Sequence, residues 1–122
     1  MKKILIVDDE PDICEGIASY LAEVGYQTMT ATRGQEGYDL ILKERPDLVI
    51  LDIALPDLDG TVLYENLRKD PAIAQTRILF LTALAAGAPD QFKGIDREDY
   101  TIISKPVKFE TLQAEVERML KL

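Results

Sequence analysis

Five polar side chains in this sequence stand where apolar runs stop: Asp8 and Asp9 after Lys3-Ile4-Leu5-Ile6-Val7, Asp52 after Leu48-Val49-Ile50-Leu51, Thr82 after Arg77 to Leu81, and Lys105 after Tyr100 to Ser104. Each alone fits ordinary turn chemistry. Together they are carboxylates, a hydroxyl and an ammonium at or just past the carboxyl ends of predicted strands, and in an open α/β sheet those ends meet in one crevice. Carboxylates packed together repel unless protonated or bridged by a cation. An all-oxygen donor set suits Mg2+, which takes few protein ligands and keeps water or phosphate oxygens for the rest. A metal, the Lys105 ammonium, the Thr82 hydroxyl and a backbone amide meet the charge of a phosphoryl group from several sides. The constellation reads as a phosphate site.

Strands and helices must carry these residues to one edge. Leu48 to Leu51 is an unbroken apolar run, too short for a helix, and reads as a strand buried on both faces, the kind a parallel sheet needs. Pro56 and Asp59-Gly60 keep the following segment in a turn. Pro11 suits a first helical position, and Ile13, Ile17, Leu21 and Val24 recur at helical spacing until Gly25 ends the helix. Tyr26 to Ala31 is a less apolar strand, suited to an edge. Gly34 to Glu44 is a helix with Tyr38, Ile41 and Leu42 inward, closed by Pro46, in which Gly37 costs about 1 kcal/mol against alanine. Thr61 to Lys69 is a helix carrying Val62, Leu63 and Leu67, broken by Asp70-Pro71. Between Ala83 and Asp99, Gly87, Pro89 and Gly94 leave room for a short helix near Pro89 to Lys93. After Lys105-Pro106 comes a helix with Phe109, Leu112, Val116 and Met119 facing in. Strands alternating with helices at this spacing predict an α/β fold, a five-stranded parallel sheet with helices on both faces.

Composition bounds the function. The chain has 122 residues, 47% of them apolar, which predicts a single domain over 1–122 with one core. No apolar run approaches the roughly 18 to 20 residues of a membrane span, and the opening apolar stretch is too short for a signal peptide, so the expected location is cytoplasmic, away from the membrane. A single cysteine, Cys14, excludes an internal disulfide, and it reads as a small buried side chain. The absence of histidine removes His-based catalysis and zinc sites, so any metal is held by oxygen. A formal net charge of -8 opposes direct binding to nucleic acid or anionic lipid.

From Lys3 to Leu120 the chain resembles the receiver domain of two-component response regulators. Asp8-Asp9, Asp52, Leu55-Pro56 with Asp59-Gly60, Thr82-Ala83 and Lys105-Pro106, in that order and each at a strand end, carry the resemblance. It implies the flavodoxin-like strand order 2-1-3-4-5. It also implies that Asp52 accepts a phosphoryl group from a sensor histidine kinase or a histidine phosphotransfer protein. Asp9, Asp52 and the backbone carbonyl of Ala54 would then hold Mg2+ directly, with Asp8 acting through water. Lys105, the Thr82 hydroxyl and the Ala83 amide would bind phosphoryl oxygens, and the Lys105-Pro106 peptide bond would be cis. The implied output is a changed protein-binding face, read by a downstream protein or a fused output domain. The implied catalysis is limited to self-phosphorylation from phosphodonors and self-dephosphorylation.

Some positions depart from the family pattern. Three residues before Lys105, where most of the family carries Tyr or Phe, stands Ile102; Tyr100 lies on the same strand face and is either a substitute or a half-buried edge aromatic. Glu115 and Glu117 occupy positions that are basic in the DNA-binding subgroup, which disfavours that style of dimer. Two other readings stand beside a phosphorylated switch: a degenerate receiver serving as a constitutive interaction module, and a small Mg2+-dependent phosphohydrolase. The complete acidic set opposes the first, and the lack of residues for a cap or substrate pocket opposes the second.

Overall fold

The computed structural model describes residues 1–82 and 100–121, and the backbone alone at Tyr100. Five strands, β1 (Lys3–Val7), β2 (Gln27–Ala31), β3 (Leu48–Asp52), β4 (Arg77–Thr82) and β5 (Tyr100–Ser104), form one sheet in the order β2-β1-β3-β4-β5. All four neighbouring pairs run parallel. Among the described residues four helices accompany them: α1 (Pro11–Val24), α2 (Gly34–Glu44), α3 (Gly60–Lys69) and α4 (Phe109–Leu120). The short helix expected near Pro89 to Lys93, and the Ala83 amide, lie outside the described residues.

Alternation along the strands divides the core between the two faces of the sheet. Leu5, Val7, Val49, Leu51, Ile78 and Phe80 pack against Ile41 of α2 and Leu63, Tyr64 and Leu67 of α3. Their neighbours Ile4, Ile6, Leu48, Ile50, Leu79 and Leu81 pack against Cys14, Ile17 and Leu21 of α1 and Leu112, Val116 and Met119 of α4. Every residue of β3 is buried, which is why it reads as a continuous apolar run; β2 lies at an edge, as its composition predicts, and only Ala31 in it is buried. Burying each large aliphatic side chain contributes about 1.5 to 3 kcal/mol, so the strands that carry the polar edge are also the most firmly held.

Helix boundaries have local causes. Pro11 opens α1, and Gly25, at φ 117°, closes it with its N–H turned back to the last carbonyls. A Cβ on Gly37 would lie 2.8 Å from Val7 Cγ2, so this helical glycine lets α2 sit directly on β1. Four positions of the predicted apolar stripes are corrected: Val24, Leu42, Val62 and Phe109 are exposed by 39, 37, 42 and 38%. Leu42 and Val62 each follow or precede a buried residue by one position, a turn of about 100° that puts them on the flank of the apolar stripe. Phe109 instead lies against the Tyr20 ring, with centroids 4.8 Å apart, bridging α4 to α1.

Candidate functional site

Parallel pairing brings the ends of β1, β3, β4 and β5 side by side, and the polar residues predicted there do converge. Asp8, Asp52 and Thr82 are buried, with exposures of 1, 5 and 3%, while Asp9 stays exposed. Lys105 directly follows β5 and is joined to Pro106 by a cis bond, and its own N–H donates to the Thr82 carbonyl at 2.7 Å. The lysine side chain reaches the crevice. Its ammonium stands 2.8 Å from Asp8 Oδ2 and 3.2 Å from Asp52 Oδ2.

The remaining lone pairs are directed as well. Asp52 Oδ1 accepts from the Ala54 amide at 3.2 Å, and Asp8 Oδ1 accepts from the Glu10 amide at 3.0 Å. Asp8 Oδ2 is sealed from solvent; its contact with Lys105 is a close ion pair without the alignment of a hydrogen bond. Burial pushes the Asp52 carboxyl above its ordinary pKa, and the opposing pull of Lys105 and the Ala54 amide offsets this only in part. Burial would lower the Lys105 ammonium, but Asp8 and Asp52 outweigh it and hold Lys105 above its ordinary value. Both shifts run upward for different reasons: at Asp52 burial outweighs the lysine, whereas at Lys105 the two carboxylates outweigh burial.

The donor set fits a hard divalent cation. Carboxylate oxygens of Asp8, Asp9 and Glu10 lie within 4.8 Å of one another, and the buried Asp8 Oδ2 lacks an aligned donor. Asp52 is not one of this trio; its Oδ2 accepts from Lys105 and its Oδ1 from the Ala54 amide. Between Asp8 and Asp52 the bridging cation is the chain's own lysine. Glu10, absent from the predicted ligand set, is placed here because its carbonyl starts α1, accepting from the Ile13 and Cys14 amides. Its adjacency to Asp8-Asp9 was the available signal.

The family model for the response regulator receiver domain matches residues 4–117. The chain belongs to this family. Among curated relatives, the DNA-binding dual master transcriptional regulator RpaA of Synechocystis is 35% identical over 99% of this chain and 50% of its own length. The regulatory protein VanRB of Enterococcus faecalis is 35% identical over 98% of this chain and 52% of its own. The chain spans about half the length of the curated relatives it matches. Among solved structures, a CheY-like receiver domain protein from Methanospirillum hungatei superposes with a TM-score of 0.88 at 29% identity, covering 99% of this chain and 94% of that one. The receiver domain of a histidine kinase from Syntrophus aciditrophicus gives 0.84 at 32% identity, covering 99 and 91%. The receiver fold with its 2-1-3-4-5 sheet is therefore the fold of this chain, a receiver domain of the two-component type. Among the described residues, no helix of this receiver is long and apolar enough to cross a membrane.

Proposed function

We propose that this receiver domain is a phosphoryl-accepting switch in which Asp52 takes a phosphoryl group from the phosphohistidine of a sensor kinase or histidine phosphotransfer protein. The observation that carries this reading is the Lys105 ammonium seated between the buried carboxylates of Asp8 and Asp52 at the carboxyl edge of the sheet. Asp52, with one oxygen on Lys105 and the other on the Ala54 amide, is held in a fixed orientation, and its raised pKa makes it a more basic nucleophile. An Asp52 oxygen bonds to phosphorus as the bond from phosphorus to the donor imidazole nitrogen breaks, and the electron pair leaves with that nitrogen. Lys105 meets the charge of the transferred oxygens, joined by the Thr82 hydroxyl and the Ala83 amide. Asp9, Asp52 and the Ala54 carbonyl would hold Mg2+, with Asp8 acting through water. Bound there, the ion would shield the negative charge that otherwise keeps a carboxylate from a phosphoryl group.

The product is an acyl phosphate, and attack of water on it returns Asp52 and inorganic phosphate. Catalysis is confined to this self-phosphorylation and self-dephosphorylation. The output is a change in a protein-binding face, read by a partner protein or a fused output domain. The test is intact mass after incubation with Mg2+ and acetyl phosphate. One phosphoryl group should be added, lost again to hydroxylamine, and Asp52→Asn should take up none. Labelling of the Asn variant to the same extent would remove Asp52 from its role.

A further inference from the structure

The loop between β3 and α3 is fastened at two places. At its base the Gly60 amide donates to the Ile53 carbonyl at 2.8 Å. At its tip both carboxylate oxygens of Asp57 are taken up by the start of α2: Oδ1 by the Gly34 amide at 2.8 Å and Oδ2 by the Gln35 amide at 3.0 Å. The residue that precedes α2, Arg33, supplies no side-chain cap of its own, so the first-turn amides are capped by a residue from a different element. Leu58 seats the loop on the helix, since a Cβ on Gly34 would stand 2.7 Å from Leu58 Cβ. Ala54 lies between the two fastenings, its amide already committed to Asp52.

We infer that Asp57 is a positioning residue for the metal site: by clamping the tip of this loop to the N-terminus of α2, it holds the Ala54 carbonyl at the acidic crevice. The inference rests on the proposed role of that carbonyl as a ligand. Asp57 and Gln35 are exposed, so truncating Asp57 leaves the Gln35 amide open to water, and the cost to the fold is modest. The consequence falls on a ligand whose direction depends on three residues of backbone. Groups behind a metal ligand commonly govern affinity by about tenfold or more, because the ion tolerates little displacement of its donors.

Calorimetric titration of Mg2+ into the wild type, Asp57→Ala, Asp57→Asn and Asp47→Ala tests this. Asp47 accepts from the Lys3 amide at 2.8 Å, at the opposite end of the sheet, and serves as a control for loss of stability alone. Asp57→Ala should weaken Mg2+ binding about tenfold and speed exchange of the Leu55 and Gly60 amides in metal-free protein. Asp57→Asn, which keeps one acceptor oxygen, should fall between, and Asp47→Ala should bind Mg2+ like the wild type. Equal Mg2+ affinity in Asp57→Ala and the wild type would reduce Asp57 to a helix cap and overturn the inference. A wild type that binds no Mg2+ at millimolar concentration would overturn the metal site itself and the clamp with it, an outcome distinguished by the first titration.

Discussion

Gly60 is packed so closely on Asp52 that a Cβ at position 60 would stand 2.6 Å from the Asp52 carbonyl oxygen and 2.9 Å from Ile53 Cα. Both obstacles are backbone, and neither can swing aside. The missing side chain thus sets how near the start of α3 comes to the strand that ends in the proposed nucleophile. Gly60→Ala should cost about 2 kcal/mol or more in urea unfolding and also slow labelling by acetyl phosphate, because relief of the clash must move the loop that carries Ala54. Wild-type stability in this variant would mean that the strand end yields more readily than its burial implies.

Lys105 joins carboxylates that otherwise face each other in a buried crevice. Removing one partner of such a group leaves charge without compensation, which costs about 3 to 5 kcal/mol in well-buried cases. The Lys105 side chain is 14% exposed, so Lys105→Ala in EDTA should lie near the lower end, about 3 kcal/mol. Mg2+ should restore stability more strongly to this variant than to the wild type, since the ion then relieves repulsion that the lysine no longer does. Urea unfolding with and without Mg2+ reads both effects; an unchanged metal-free midpoint would show that the lysine is not what stabilises the crevice.

Much of this arrangement is legible in the chain because its strands are short and fully buried. Leu48 to Asp52 has no polar interruption, and the residue where it stops is the residue at the crevice. What escapes is whatever depends on contact across the fold. Helical spacing shows that α2 and α3 have an apolar stripe, but not where its centre lies, and Leu42 and Val62 fall on the flank. Gly37 looks like a weak point until Val7 is seen against it. Asp57 reads as a turn residue, because nothing in its neighbourhood announces a helix start twenty-three positions earlier. The bridging of Asp8 and Asp52 by Lys105 likewise needs β1, β3 and β5 in their final order.

Cys14 is 1% exposed, and its thiol is directed at backbone carbonyls, the nearest that of Asp8 at 3.2 Å. Burial raises its pKa from 9.0 to about 11. Native protein at pH 8 should therefore react with a thiol reagent roughly a hundredfold or more slowly than protein in urea. The linkage has a definite sign: with the folded value above the unfolded one, this group's contribution to stability is complete below pH 9.0 and is lost as the pH rises toward about 11. Cys14→Ala should consequently lose less stability than the wild type across that interval. Fast native labelling at pH 8 would contradict the buried placement.

Ile102 pairs in register with Phe80 and packs, half-buried, against the core that lies under α2 and α3. Its branched Cβ leaves one or two χ1 wells, and it has neither a ring to rotate nor a hydroxyl to exchange partners. A switch that operates by an aromatic moving between two positions therefore has no moving part at this residue. Ile102→Ala should cost about 1 to 2 kcal/mol, less than a fully buried truncation. Acetyl phosphate labelling of Asp52 should nevertheless stay within about twofold of wild type, because this side chain lies outside the crevice. A beryllofluoride-type mimic of the phosphoryl group should correspondingly leave amide exchange in Tyr100–Ser104 little changed. Strong changes in that strand, abolished by Ile102→Ala, would establish that β5 carries the signal despite the missing aromatic.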